Sequence, residues 1–507
     1  MVKNPGEDMN RRRFMQSSAA AAVVASLPMH RSLAAIMSGA GGVDADVNAI
    51  TGNGAEVTLK RAAVQELGDA LRGNLLLPGH EAYEQARRVL NPSIDKYPAL
   101  IVQPKGIADV KDAVDFARES SLLVAVKCGG HSPSGKSTCN GGMMIDMSLL
   151  RSTRVDPGRR IAHVSGGSWL GDMDHDTMKF GLVTTAGTVS HTGVAGLTLG
   201  GGFGRLARRF GLALDNVRGV ELVTADGRFV RAYPDENPDL YWGVRGGGGN
   251  FGVATDFEFQ LHPMDRTVIG GNIGFPMNEA KQVLNFYAQY AAGAPDEMYL
   301  DGGLISAPGG FSGAYLHVCY SGDKDRADKL IAPIRKAGTP LFDTIGPVDY
   351  VAIQKSADVD DPRARGAYMK SGFVSEITPP MIDAIVDGFE EHPERGMYVV
   401  WQHCGGAINR VATDATAFAH RYVKHDTLFL MDWAMGIDPA PHIQWLREYF
   451  ATVEPYTHGF YTNDVMDESQ SVVNRNYQGN YERLVRLKDK YDPGNLFRLN
   501  ANILPTA

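Results

Sequence analysis

Three dense glycine clusters between residues 127 and 252 constrain this chain more than any other feature. The first, Lys127-Cys128-Gly129-Gly130-His131-Ser132-Pro133-Ser134-Gly135, follows an apolar run that reads as a strand. The second runs from Ala186-Gly187-Thr188 through Gly193-Val194-Ala195-Gly196-Leu197-Thr198-Leu199 to Gly200-Gly201-Gly202-Phe203-Gly204. The third is Arg245-Gly246-Gly247-Gly248-Gly249-Asn250-Phe251-Gly252. Glycine reaches positive φ and has no Cβ, so successive N–H groups can converge on an anion and flat rings can lie against backbone. A diphosphate joined to planar rings uses both properties. Tight turns in a glycine-rich sheet protein explain any one cluster; three, one with an embedded His, argue for more. The third cluster contains a formal G-x-G-x-x-G (Gly247, Gly249, Gly252). Its expected helix, Pro238–Val244, comes before it and its strand after, the reverse of a Rossmann turn, which excludes that site.

Composition narrows the class. With 507 residues, 44% hydrophobic and 21% charged, the chain is long enough for two or three packed domains and is neither disordered nor a coiled coil. A net charge of −8 offers no footprint for nucleic acid. Four cysteines (Cys128, Cys139, Cys319, Cys404) are too few for a disulfide scaffold and lack paired metal spacing. Cys128 and Cys139 flank the first cluster, and sequence separation leaves open whether they pair. On a helix predicted over Trp169–Phe180, Asp172, His175 and Asp176 share a face while Asp174 points away. That run reads as a solvated face, and no metal site is expected.

The first 40 residues read as an address. Asn10-Arg11-Arg12-Arg13-Phe14-Met15-Gln16 precedes the uncharged stretch Ser17–Met29, and Ser32-Leu33-Ala34-Ala35 offers small residues to a signal peptidase. The stretch is too short and too weakly apolar to span a membrane. An arginine pair, one residue and Phe form the twin-arginine pattern; an ordinary basic secretory leader is the alternative. The expectation is a mature chain starting near residues 35–45, exported by the twin-arginine machinery without stable membrane insertion, and working in the periplasm or outside the cell.

Periodicity supplies the elements. Ala99–Gln103, Leu122–Lys127 and Met143–Asp146 read as strands around a helix over Gly106–Ser120, a small α+β unit. Asp226-Gly227 marks a hairpin between Val220–Thr224 and Arg228–Arg231. Along Val253–Leu261, Val253, Thr255, Phe257, Phe259 and Leu261 alternate with Asp256, Glu258 and Gln260. After His262-Pro263 the glycine clusters stop. Strands (Met298–Ser306, Ala314–Tyr320, Met397–Cys404, Thr427–Trp433) alternate with helices (Glu279–Ala292, Lys324–Ala337, Met381–Glu391), as in a broad sheet with helices on one face. Tyr481–Asn502 returns to a helix and an extended tail.

These residues resemble the berberine bridge enzyme-like flavoproteins of the vanillyl-alcohol oxidase superfamily, over about residues 55–505. The marks are Gly129-Gly130-His131-Ser132, the Gly193–Gly204 run, Asp239-Leu240-Tyr241-Trp242-Gly243-Val244-Arg245-Gly246-Gly247, Asn250-Phe251-Gly252-Val253 and the ending Tyr491-Asp492-Pro493-Gly494-Asn495-Leu496-Phe497-Arg498-Leu499-Asn500-Ala501-Asn502. The resemblance implies an α+β fold with a two-part FAD domain (residues 50–264 and 459–507) and an inserted substrate domain of mixed or antiparallel sheet covered by helices (265–458). It implies that His131 bonds covalently to the flavin 8α carbon. FAD contacts are implied for Cys128, Gly129, Gly130, Ser132, Ser134, Gly187, Thr188, Gly193, Gly196, Gly252, Val253, Asn500 and Asn502. Many relatives carry a second flavin link through a Cys. Val189 in Gly187-Thr188-Val189-Ser190-His191-Thr192-Gly193 occupies that position, so one link is expected. Thr192 stands where relatives often have Val or Leu controlling oxygen access, and Leu197 where many have a flavin-contacting His.

Three polar residues are catalytic candidates. Tyr461, in Phe460-Tyr461-Thr462-Asn463, matches a Tyr-x-Asn element facing the flavin, a base if its pKa is lowered or a donor orienting a hydroxyl. His191 is placed to contact flavin or substrate, or to bond within its loop. Gln402 and His403 end a substrate-domain strand, and one residue of alternation decides which lines the pocket. Tyr477 is a weaker candidate. The reading is an exported FAD-linked oxidoreductase taking hydride from an alcohol, sugar or amine and passing electrons to O2, giving H2O2. A dehydrogenase using a quinone or other acceptor, and a non-catalytic flavin carrier, are the alternatives.

Overall fold

The computed structural model describes residues 43–358, 364–464 and 466–506. The leader expected over residues 1–40 lies outside the described residues. The strands Leu100–Gln103 and Met143–Asp146 are buried almost throughout, as suits parallel strands covered on both faces. Helix Ile107–Glu119 buries Val110, Ala113, Val114 and Ala117, one face at helical spacing. It carries the chain from Leu100–Gln103 to Val124–Lys127, and both strands pair in parallel with Met143–Asp146 between them. Asn74–Leu76 completes this four-stranded sheet on its outer edge.

A second, five-stranded antiparallel sheet has the order Phe229–Ala232, Val217–Thr224, Gly252–Gln260, Ile161–Ser165, Thr153–Asp156. The expected alternation holds: Val253, Thr255, Phe257, Phe259 and Leu261 are buried, while Asp256, Glu258 and Gln260 are half-buried. The C-terminal segment packs into the same core through Tyr477, Leu484, Leu487, Tyr491, Ala501 and Ile503. Lys488, fully buried in helix Tyr481–Tyr491, pairs with Asp492 at 2.7 Å and donates to the carbonyls of Asn250 (2.9 Å) and Phe497 (3.1 Å).

The third sheet is wide and antiparallel, in the order Phe342–Asp343, Thr267–Phe275, Ser312–Tyr320, Met298–Ser306, Arg395–His403, His425–Ala434, Arg365–Val374. Helices Ala280–Gly293, Ala327–Ile334, Pro379–Gly388 and Ala440–Val453 cover one face, burying Tyr287, Ile331, Ile385 and Phe450 against Leu316, Val399, Trp401 and Met431. Helix Ala327–Ile334 is shorter than the Lys324–Ala337 expected, with a 3₁₀ turn at Lys324–Arg326 and Pro333 near its end. Strands Thr267–Phe275 and Arg365–Val374 escaped the sequence reading, since Gly270-Gly271 and Gly274 in one and Lys370-Ser371-Gly372 in the other dilute the β-branched signal.

Candidate functional site

The strand Val124–Lys127 delivers the chain, at its carboxyl end, into the first glycine cluster. That loop meets the second one backbone to backbone. A Cβ on Gly129 would stand 2.3 Å from the Gly193 nitrogen, and one on Gly193 would stand 2.4 Å from the Gly129 nitrogen. Main-chain bonds from Leu170 to Thr192 (2.9 Å), Gly171 to Ser190 (2.8 Å) and Val194 to Ser168 (2.9 Å) fix the second loop on helix Leu170–Met178. The approach brings together two histidines 60 residues apart: Nε2 of His131 lies 2.6 Å from Nδ1 of His191. Thr192 Oγ1 is 3.3 Å from His131 Nδ1. Burial, reinforced by the second ring, pushes His131 down to about 3, and burial also lowers His191, so both imidazoles are neutral. Asp358 accepts from the Ser190 amide (2.8 Å) and hydroxyl (2.5 Å) and so anchors the His191 loop. Ser132 Oγ accepts from the Lys136 amide at 3.1 Å, closing the first loop.

The end of the second cluster seats Tyr461. A Cβ on Gly201 (φ +152°) would come within 3.0 Å of its ring, and one on Gly200 within 2.2 Å of Asn463. The phenol oxygen accepts from the Gly202 amide (2.8 Å) and from Asn463 Nδ2 (2.7 Å). Both lone pairs are thus engaged, and its own O–H has only the Leu197 carbonyl, 3.4 Å away. Burial raises the Tyr461 pKa despite the Gly202 donor, and the Asp464 and Asp426 carboxylates push the same way. The lowered pKa that a base would need is therefore not what these surroundings produce; the neutral phenol is a donor. The third cluster clamps this seat, with the Gly246 and Gly248 amides donating to the Leu199 carbonyl at 2.9 and 3.0 Å. Gly252 pairs with Thr224, and Val253 lies in the sheet core with Val223 and Phe497. Asn500 donates to the Gly249 carbonyl at 3.1 Å.

Register decides the substrate-sheet candidates. His403 pairs with His425, and its Nε2 donates to the Ala291 carbonyl of a covering helix at 3.1 Å. Its place as a catalytic residue is corrected: it lies under the helices, on the face opposite Gln402 and Asp426. Tyr477 donates to the Ala501 carbonyl (2.9 Å) and holds the tail.

The sheet face away from the helices, packed in part by Met178, Val183 and Leu206, carries residues that the sequence reading missed. Asp426 is fully buried, and among the described residues neither of its oxygens nor Oδ2 of Asp464 has a partner. Burial raises Asp426 well above the carboxylate range, with the Asp464 and Asp301 charges pushing the same way; burial raises Asp464 to about 7 with help from Glu468, against a hydrogen bond from Ser371. Buried Arg205 donates to His317 Nε2 (3.0 Å) and Gln354 Oε1 (2.9 Å); Gln354 in turn donates to Asp174 (3.1 Å), whose carboxyl burial raises to about 7. A lone Asp inside an alternating strand gives no sequence signal; only its burial and its charge acting on Tyr461 make it notable.

Asp172, His175 and Asp176 line an open cleft of about 580 Å³ with Arg151, Trp169 and Ser190, and Asp172 pairs with Arg151 at 2.7 Å. All four cysteines are free thiols, so Cys128 and Cys139 are not joined. No described helix is long and apolar enough to cross a membrane.

The residues present fit FAD. Among the described residues, His191 Nε2, Thr198 Oγ1, Ser137 Oγ and Asn502 Oδ1 are buried without partners, an unusual group of polar atoms around two glycine loops. At Gly196 nothing lies within 4 Å of where a Cβ would stand. Fold and loops together define an FAD-dependent oxidoreductase. The family model for the FAD binding domain matches residues 98–233, and that for berberine and berberine-like proteins matches residues 461–504. An FAD-linked oxidoreductase of Dictyostelium discoideum is 34% identical over 445 residues, covering 87% of this chain and 97% of the relative. The (R)-6-hydroxynicotine oxidase of Paenarthrobacter nicotinovorans is 30% identical over 465 residues, covering 86% and 97%. The solved glucooligosaccharide oxidase of Acremonium strictum, described with a 6-S-cysteinyl, 8α-N1-histidyl FAD, superposes with a TM-score of 0.78 at 24% identity, covering 88% of this chain and 100% of that one. This chain belongs to the berberine bridge enzyme-like family of FAD-linked oxidoreductases.

Proposed function

We propose that the protein is an exported oxidase that takes hydride from a C–H bond beside a hydroxyl or amine of a small substrate and returns electrons to O2 as H2O2. FAD, held once through His131, supplies the hydride acceptor. The observation that carries this reading is Tyr461, seated on the Gly200–Gly202 run and acted on by the carboxylates of Asp464 and fully buried Asp426, the latter without a partner among the described residues. Cys128, Gly129, Gly130, Ser132, Ser134, Gly187, Thr188, Gly193 and Gly196 form the cradle, with Asn500 and Asn502 closing it from the tail. Val189 has no thiol, so His131 is the single point of attachment.

In this reading Tyr461 donates its O–H to the reacting hydroxyl or amine and orients it. The Asp426–Asp464 pair takes up the proton, since a carboxyl raised toward neutrality is a serviceable base there. The face of the wide sheet away from its helices, with Gln402, forms the substrate wall. Sugars and oligosaccharides, other alcohols and cyclic amines are the candidate substrates, and two of the relatives named above are oxidases of a nicotine and of glucooligosaccharides. The test is a panel of sugars, alcohols and amines scored anaerobically for bleaching of flavin absorbance and in air for peroxide. Bleaching with peroxide formation is expected. Bleaching without peroxide, but with turnover on a dye acceptor, would make it a dehydrogenase.

A further inference from the structure

Nε2 of His131 is held 2.6 Å from Nδ1 of His191, too short a contact for any third atom to bond there. Among the described residues, Nδ1 of His131 has only the Thr192 hydroxyl, at 3.3 Å. A carbon bonding to His131 without breaking the histidine pair must therefore bond Nδ1. Alkylation at Nδ1 leaves the ring carrying a proton on Nε2, a cation in a buried site, until that proton leaves. The atom that faces it is His191 Nδ1. Asp358, tied to Ser190 next in the chain, is the charge that favours a proton on either ring.

We propose that His191 is the base that enables flavin attachment, accepting the Nε2 proton of His131 while Nδ1 of His131 bonds the flavin 8α carbon. This rests on the reading of His131 as the attachment point. The balance is complete: the 8α methyl loses one proton, His131 loses one through His191, and the N–C bond forms. The two electrons left on the ring pass with two protons to O2, giving H2O2. His191 acts here through His131, as a positioning and proton-accepting residue, before any substrate binds.

The test compares full-length wild type, His191→Ala and His191→Gln. Native absorbance near 450 nm reads bound FAD, and flavin fluorescence on a denaturing gel reads the covalent fraction over time after FAD is supplied. Wild type is expected to be covalent, with linkage at Nδ1 by NMR of the flavin peptide. Both variants are expected to attach FAD about 10²-fold more slowly, and added imidazole is expected to speed attachment in His191→Ala. Attachment at the wild-type rate in the variants, or linkage through Nε2, would overturn the proposal. A wild type that releases all its flavin on denaturation defeats the attachment reading itself, which the wild-type lane alone reveals. If neither variant retains FAD, the linkage nitrogen of the wild type decides.

Discussion

Tyr461 shows how surroundings decide what a side chain can do. Its oxygen accepts two N–H groups, which favours ionisation, but burial and two nearby carboxylates oppose it and win. Tyr461→Phe should slow flavin reduction by about 10²-fold, and stopped-flow reduction under argon measures it; an unchanged rate would remove Tyr461 from the reaction. Burial raises both Asp464 and Asp426, and the Asp464 charge pushes Asp426 further. With Asp464 raised to about 7, the base form grows as pH rises, so the reduction rate should climb with pH through neutrality. Asp426→Asn should flatten that climb and lower the plateau. Tyr461, His131 and the glycines were legible in the sequence because they sit in motifs. Asp426, Asp464 and Arg205 were not, since a buried acid or base has no signature until its partners are known.

At the scale of elements, the glycine clusters do two different jobs. The sequence reading took all three as cofactor cradle. The first two do meet around His131 and His191, but Gly200 and Gly201 admit Tyr461 and Asn463, and Gly246 admits the Phe418 backbone at 2.2 Å from a would-be Cβ. Gly193→Ala would press a methyl into the Gly129 backbone, so the two loops must part. The expected cost is roughly 1–3 kcal/mol, together with loss of bound flavin, read by thermal melting and by the ratio of 450 nm to 280 nm absorbance. A variant with wild-type flavin content would show that the loop contact does not shape the cradle. The His403 misplacement is also an element-scale matter: alternation reveals that Gln402 and His403 face opposite ways, and only the helices on one side reveal which way is which.

Across the whole molecule, a few buried charged groups tie distant segments. Lys488 and Asp492 pin the tail to Asn250, and Lys488→Met would strand a buried carboxylate at a cost of about 3–5 kcal/mol, measurable as a lowered denaturation midpoint. Asp174 links helix Leu170–Met178 to Gln354 beyond the wide sheet's second strand. Its carboxyl, ordinarily near 3.9, is raised to about 7 by burial, so the folded chain keeps a proton that the unfolded chain releases between pH 4 and 7. That contribution to stability is intact at pH 4 and falls as pH rises to 7. Asp174→Asn should therefore shrink the drop in Tm between pH 5 and 7; parallel wild-type and variant curves would show that Asp174 is not protonated in the fold.

Local chemistry settled by sequence was of one kind: where glycine is indispensable, where strands alternate, and which family's motifs are present. These depend on neighbours along the chain, and they placed the strand Gly252–Gln260, the reversed third cluster and His131 in its loop. What only the tertiary structure decided depends on residues far apart in number. It paired His131 with His191, filled the Gly200–Gly202 run with a tyrosine from residue 461, and turned Asp426 inward. Burial sets those proton affinities, and burial is a property of the packed whole.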